Sequence, residues 1–373
     1  MRIEKGGNMK FKTKRDALLK ALSKVSNIIG NKNTLPILAN VLMEAEENTL
    51  TLTTTDHEIR IITKIEANVE TSGRTTLPAK RLLGLVSKFK GEEVEFDTNE
   101  KFHTVINCGT ANFMIMGLDP EDFTPAASFT PTRSFKLKQS ELCRIIDYIS
   151  YAVSPNDSRK VLQGILFSVK EGNFTAVATD GKRLALVEKV LEDAAEGADG
   201  DIIITLKAAT ELKRIMEKEG DVTIEIDDKQ VCFKADVTTL QSKLIEGNYP
   251  NYKQVIPAGF AKQIEIPCSS FIDALEIVSI PLADVVSSFV KLTFTSGQLL
   301  FESNSSIGEG KEYIQIPYED SDISLSFNPM LLADPFKHVN VDKVNIKINE
   351  GFNPIAIETT DGFLYVIMPI RNK

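Results

Sequence analysis

The chain says the same thing three times, and this constrains its fold more than any single motif. Residues 11–22 (FKTKRDALLKAL) lead to a strand pattern at 49–56 (TLTLTTTD). Residues 135–142 (FKLKQSEL) lead to 161–167 (VLQGILF) and 173–180 (NFTAVATD). Residues 264–275 (IEIPCSSFIDAL) lead to 289–294 (FVKLTF) and 297–304 (GQLLFESN). A period of roughly 125 residues is too long for a solenoid and is the size of a whole domain. The spacing predicts three copies of one domain, at 9–128, 133–252 and 262–373. Residues 1–8 precede a second methionine, Met9, and read as an upstream start, an extension expected to be disordered. Repetition of this kind suggests a symmetric object, an arc or ring, before it suggests an active site.

Each repeat divides again into two halves with the order strand, amphipathic helix, three strands. The first helix starts near Arg15 and places Leu18, Leu22, Val25 and Ile29 on one face, the spacing of a helix that buries one side. Strand patterns follow at 37–44, 49–54 and 58–67. The second half opens at 74–83 (RTTLPAKRLL), with Leu82, Leu83, Val86 and Phe89 apolar, and continues into strand patterns at 93–96 and 105–116. The matching openings in the later repeats are 201–212 (DIIITLKAATEL) and 322–332 (DISLSFNPMLL). Six half-units predict six helices packed on antiparallel sheets, an α+β arrangement.

Composition narrows the function classes. The apolar runs fall well short of the roughly 18 residues that a membrane span needs, and no signal peptide is recognisable. Cys108, Cys143, Cys232 and Cys268 lack any CxxC spacing, so reduced thiols of a cytoplasmic protein are expected rather than a metal site. His57, His103 and His338 each lie far from a second ligand or catalytic partner and read as surface or packing residues. The segment from Asp180 to Arg183 has a superficial likeness to a phosphate loop, but the GxxxxGK spacing is absent. No Ser-His-Asp set and no paired carboxylates at strand ends appear, so no catalysis and no cofactor are expected.

Charge is unevenly spread. The net charge is −9, which as a whole-molecule figure argues against nucleic acid. Yet the first helix carries Lys14, Arg15, Lys20 and Lys24 against Asp16, and the second carries Lys80, Arg81, Lys88 and Lys90 before Glu92. The helix from Lys207 adds Lys213, Arg214 and Lys218, diluted by Glu211, Glu217 and Glu219. A single charged run is usually a solvated face. Two equivalent basic helices in an acidic chain are the footprint of a polyanion-binding surface.

Four segments in register with the repeats carry a resemblance: TLPILAN at 34–40, TDGKRLA at 179–185, GNYPNY at 247–252 and YVIMPIR at 365–371. From about residue 9 to 371 the chain resembles the bacterial DNA polymerase III beta subunit, the family of replicative sliding clamps. The resemblance implies a DNA-clamp fold in which two chains close head to tail, with helices lining the hole and sheets outside. Helix dimensions agree. Six helices of about 10 Å diameter standing around a hole leave a bore of about 10 Å, whereas twelve leave about 30 Å, enough for duplex DNA. Such a ring would tether the polymerase by topology, and its basic lining would attract phosphate without reading sequence.

The resemblance also implies site residues. Facing the duplex would be Lys32, Lys80, Asn156, Arg159, Lys160, Val161 and Lys207. A cleft for partner peptides, including the polymerase alpha subunit and the clamp loader, maps to Leu162, Thr179, Gly181, Lys182, Arg183, Leu184, Pro250, Val255, Val366, Met368, Pro369, Ile370 and Arg371. Apolar residues and an adaptable Met rimmed by Lys and Arg suit short motifs with Leu or Phe anchors. Leu184 and Val366 could equally be plain sheet core, and the tail after Ile367 could fray. Candidate anchors of the subunit joint are Phe113, Ile277, Ile280 and Leu282.

Three departures stand out. Lys182 replaces a frequent His. Pro281 should end the first helix of the third repeat, and Pro335 should kink or shorten the last helix, at about 3 kcal/mol unless compensated. The alternative function is a protein-only scaffold or specialised paralogue that keeps the cleft without a replicative role.

Overall fold

The computed structural model describes residues 8–30, 35–192, 197–282 and 288–371. The first repeat runs β1 (Met9–Lys14), α1 (Arg15–Val25), β2 (Asn40–Glu46), β3 (Thr49–Thr55), β4 (Ile59–Glu66), β5 (Asn68–Thr71), β6 (Gly73–Pro78), α2 (Ala79–Lys88), β7 (Glu93–Thr98), β8 (His103–Cys108) and β9 (Ala111–Met116). The second runs β10 (Arg133–Lys138), α3 (Gln139–Ile149), β11 (Gly164–Lys170), β12 (Asn173–Thr179), β13 (Arg183–Val190), β14 (Gly200–Thr205), α4 (Leu206–Ile215), β15 (Asp221–Ile226), β16 (Gln230–Ala235) and β17 (Thr238–Lys243). The third runs β18 (Lys262–Pro267), α5 (Cys268–Ser279), β19 (Val290–Thr295), β20 (Gln298–Ser305), β21 (Gly308–Gln315), β22 (Ile323–Phe327), α6 (Pro329–His338), β23 (Lys343–Ile348), β24 (Ile355–Glu358) and β25 (Phe363–Ile367). The strand–helix–three-strand half-unit thus recurs six times among the described residues, with β5 as the one addition.

Contacts divide the chain into two compact units that do not coincide with the repeats. One is built mainly from the chain up to Cys143 together with Lys207–Leu244; the other from Arg144–Glu192, Asp199–Leu206 and the chain from Ile245 on. The first unit holds a five-stranded sheet, β5-β1-β7-β8-β9, and an eight-stranded one, β10-β15-β16-β17-β4-β3-β2-β6. The second holds the eight-stranded sheet β14-β11-β12-β13-β25-β24-β23-β18 and the four-stranded β21-β20-β19-β22. The second repeat is therefore shared between the units. Its strand β17 pairs with β4 of the first repeat, and its β13 pairs with β25 of the third. Each pairing is antiparallel and hides two strand edges that would otherwise be open to association.

In the first unit, β1 alternates buried and partly exposed residues, and its Phe11 stacks on Phe96 of β7 at 4.8 Å. Leu18, Ala21, Leu22 and Val25 form the buried stripe of α1, which packs on β4 and α2. This helix stops at Val25, short of Ile29, and the buried Thr54 hydroxyl donates to the Val25 carbonyl at 2.5 Å. The strand expected from residue 37 begins only at Asn40, because Pro36–Ala39 form a short 3-10 turn. Lys20 and Lys24 both reach Glu217, at 2.9 and 2.7 Å. Their hydrogen bonds draw the Glu217 carboxyl down to about 2. Stability from this tie is present above the ordinary carboxylate range and is lost as pH falls toward about 2.

In the second unit, α5 ends at Ser279, before Pro281, as the sequence predicts. Pro335 behaves differently from expectation. Helix α6 continues through it to His338, and Val339 donates to the Pro335 carbonyl. Pro335 has no N–H for the Leu331 carbonyl one turn back, but the hydroxyl of the fully buried Tyr365 donates to that carbonyl at 2.6 Å. The proline's missing bond is thus replaced from β25. Replacing Tyr365 with Phe removes the hydroxyl and leaves a part-buried carbonyl without this donor, so urea unfolding should lose about 1 kcal/mol. An unchanged midpoint would show that the hydroxyl compensates nothing.

Candidate functional site

The residues from the peptide-cleft set all fall within the second unit. Its eight-stranded sheet presents an apolar face formed by Leu166, Val177, Leu184, Leu186, Ile203, Ala356 and Val366. Residues of the segment after β17, including Ile245, Tyr249, Tyr252, Ile256 and Phe260, pack over that face. Within this segment Gly247 has a φ of +125° and approaches Val161 so closely that a side chain has no room: an added Cβ would lie 2.9 Å from Val161 Cγ1. Leu162, Leu184 and Val366 are 1–2% exposed, and Leu184 and Val366 belong to the buried floor. Val255, Met368 and Ile370 are 48%, 43% and 37% exposed and offer apolar surface to a ligand. Pro250 is exposed and Pro369 buried.

The β12–β13 turn forms one wall. Asp180 Oδ1 accepts from the backbone N–H groups of Lys182 and Arg183, and the Thr179 hydroxyl accepts from Gly181. Gly181 takes a φ of +83°, which favours glycine. The carboxy-terminal segment does not fray within the described residues. Met368 N–H donates to the Lys182 carbonyl at 3.1 Å, Ile370 N–H to the Ser326 carbonyl at 2.7 Å, and Arg371 lies over the Phe352 ring at 4.9 Å.

Arg183 proves to be a node beneath this wall rather than a rim charge. Its side chain is 9% exposed. It donates to Asp180 Oδ2 at 3.1 Å, to Asp334 and to the Tyr151 carbonyl at 2.5 Å, and it lies over the Tyr151 ring. Burial works against the guanidinium charge, but Tyr365 and Asp334 outweigh it and hold the pKa above its ordinary value. The Tyr151 ring also stacks with His338, 4.3 Å between centroids. Tyr151, Asp334, Tyr365 and Phe352 were not among the expected site residues. Each acts through a contact distant in sequence, and no local pattern marks it.

The DNA-facing candidates separate. Lys32 lies outside the described residues. Lys80 is exposed on the first turn of α2, in the first unit. Lys207, in that same unit, is bound by Asp56. Asn156, Arg159 and Lys160 are exposed in the second unit, on the loop that precedes β11, and Val161 is half-buried. Arg159 is held by Asp157 through two hydrogen bonds of 3.0 Å, which pull the Asp157 carboxyl down to about 2. Asp157 and Asp56 thus hold Arg159 and Lys207, whereas Lys160 remains exposed.

The joint candidates are also placed. Phe113 is on β9, an edge strand of the first unit's five-stranded sheet, and 45% exposed beside Met114 and Met116. Ile277 and Ile280, at the end of α5 and just beyond it, are 51% and 70% exposed. Leu282 is 5% exposed and contributes to its own unit's core, leaving little surface for a partner.

A half-unit of one helix and four antiparallel strands, repeated six times, places the protein in the class of DNA-clamp folds. The family models for the N-terminal, central and C-terminal domains of the DNA polymerase III beta subunit match residues 9–127, 136–251 and 253–371. The chain belongs to the DNA polymerase III beta subunit family, the replicative sliding clamps of bacteria. The beta sliding clamp of Caulobacter vibrioides is 32% identical over 373 residues, covering 97% of this chain and all of that one. The Bacillus subtilis DNA polymerase sliding clamp superposes with a TM-score of 0.93 at 26% identity, covering 98% of this chain and 100% of that chain. A Pseudomonas aeruginosa sliding clamp solved bound to griselimycin gives 0.91 at 27% identity, with the same coverage.

Proposed function

We propose that two copies of this chain close head to tail around duplex DNA and that the exposed apolar strip at Val255, Met368 and Ile370 recruits replication and repair proteins, the polymerase among them. The observation that carries this reading is the family match over 9–371, to which the apolar strip and the exposed strand edges add physical support. The proposed domains are those of the three repeats, 9–128, 133–252 and 262–373. Closure would join the β9 edge of one copy to the β21 edge of the other, each exposing large apolar residues, Phe113 and Met114 on one and Tyr313 on the other. The role is to hold rather than to catalyse, and the setting is the cytoplasm, where the chromosome lies.

DNA attraction is electrostatic and generic in this scheme. Lys80→Ala and Lys160→Ala should each weaken binding similarly on every duplex sequence. Each lost phosphate contact should flatten the plot of log K against log salt by about 0.9. Lys32 and Asn156 belong to the same proposed surface. Arg159 and Lys207 should matter less than Lys160, because Asp157 and Asp56 already engage them. Filter binding across a salt series checks this, and a strong preference for one duplex sequence would contradict it.

A further inference from the structure

A groove of about 440 Å3 runs beside the tethered tail, lined by residues 321–325 on one side and 350–352 on the other. It adjoins the apolar strip directly, since Ile370 is bonded to Ser326 and Arg371 covers Phe352. One side of the groove is β22, an edge strand. The Ser326 carbonyl accepts from Ile370, so that residue turns its backbone polar groups away from β19. Groups alternate along a strand, so Ser324 presents its N–H and C=O along the same outer edge. Its side chain faces Thr293 of β19, with the hydroxyl oxygens 2.9 Å apart, as expected of a closely spaced, non-hydrogen-bonded pair.

Charge completes the description. Asp322 and Glu350 flank the groove and are both exposed. Of the described cations nearby, Lys262 is occupied with Tyr318, Ser321 and Asp320, and Arg371 lies on Phe352. Among the described residues, the groove therefore combines the outer edge of β22, which Ile370 engages at Ser326, with an acidic border.

We infer that a partner's peptide does not end at the apolar strip but continues in extended form along β22, and that this flank carries a Lys or Arg. Backbone pairing to Ser324 would provide register, and Asp322 and Glu350 would select the charge. The inference rests on the apolar strip being the peptide site and adds the chemistry of the flanking residues. It commits to an extended, basic flank of a partner protein.

The test uses fluorescein-labelled peptides and the full chain: a Leu-Phe anchor alone, and the same anchor with a four-residue flank containing Lys or Glu, attached at either end. With the flank on the correct side, the Lys peptide should bind about fivefold tighter than the anchor alone, the scale of an exposed ion pair. The double variant Asp322→Asn, Glu350→Gln should abolish that gain without changing affinity for the anchor alone. Ser324→Pro, which removes the edge N–H, should reduce the benefit of either flank, and an edge strand tolerates proline. If the anchor binds but Lys and Glu flanks are indistinguishable at both ends, the inference is overturned. If the anchor alone fails to bind, the peptide site itself is wrong and the inference falls with it.

Discussion

Removing residues 368–373 should weaken binding of a Leu-Phe-anchored peptide by at least about thirtyfold, the loss of roughly 2 kcal/mol expected when an interface anchor is removed. The truncation deletes the exposed Met368 and Ile370 but leaves the β13–β25 ladder intact through Arg183 and Ile367. The unit should therefore fold, and the solution mass should be unchanged. Charged substitutions at Leu184 or Val366, two of the cleft residues that the resemblance implies, would be poor tests. Both side chains are buried in the sheet floor, so a charge there would disrupt folding and abolish binding indirectly. Fluorescence anisotropy on the truncated chain decides the point. Normal affinity would remove the apolar strip from the account.

Phe113→Asp should shift the protein from dimer to monomer. Phe113 is an exposed aromatic on the β9 edge, in contact with the buried Phe89 at 6.0 Å between ring centroids. Losing one such anchor typically costs about 2 kcal/mol, and a closed two-chain ring contains each joint residue twice. The combined effect is about 4 kcal/mol, on the order of a thousandfold in the dimer dissociation constant. Light scattering would then read close to the 41.3 kDa of one chain at concentrations where the unmodified protein reads twice that. A variant that stays dimeric would place the joint elsewhere.

Much of the fold was legible because periodicity encodes it. The stripe Leu18, Leu22, Val25 and the alternation around Phe11 survive as buried faces of α1 and β1. What periodicity cannot express is which strand lies beside which. The pairings β17–β4 and β13–β25 join half-units from different repeats, so compact units and sequence repeats diverge. Pro335 teaches the same lesson at the level of one bond. The sequence announces a missing donor, but the Tyr365 hydroxyl that replaces it comes from a strand about thirty residues away.

Of the candidate site, the sequence displayed which segments carry it more than how each side chain is held. The turn at 179–185 and the tail at 365–371 are bonded together, as Lys182 to Met368 demonstrates. Arg183 looked like a rim cation because a sequence displays charge without burial; Asp180, Asp334 and the Tyr151 carbonyl convert it into an internal support. The count of basic residues likewise overstated available charge, since Glu217 engages Lys20 and Lys24 and Asp56 engages Lys207. These partners lie far along the chain from the lysines, beyond the reach of a helical-face count.

The most direct test of encirclement is retention on DNA before and after the DNA acquires an end. The protein would be loaded on a nicked circular plasmid by a clamp loader and passed over a sizing column at high salt, with and without prior linearisation by one restriction cut. Holding by topology predicts that protein stays with the circle at high salt and is released when the circle is cut. Retention on the cut DNA at the same salt would mean that direct contacts hold the protein, and would contradict the account.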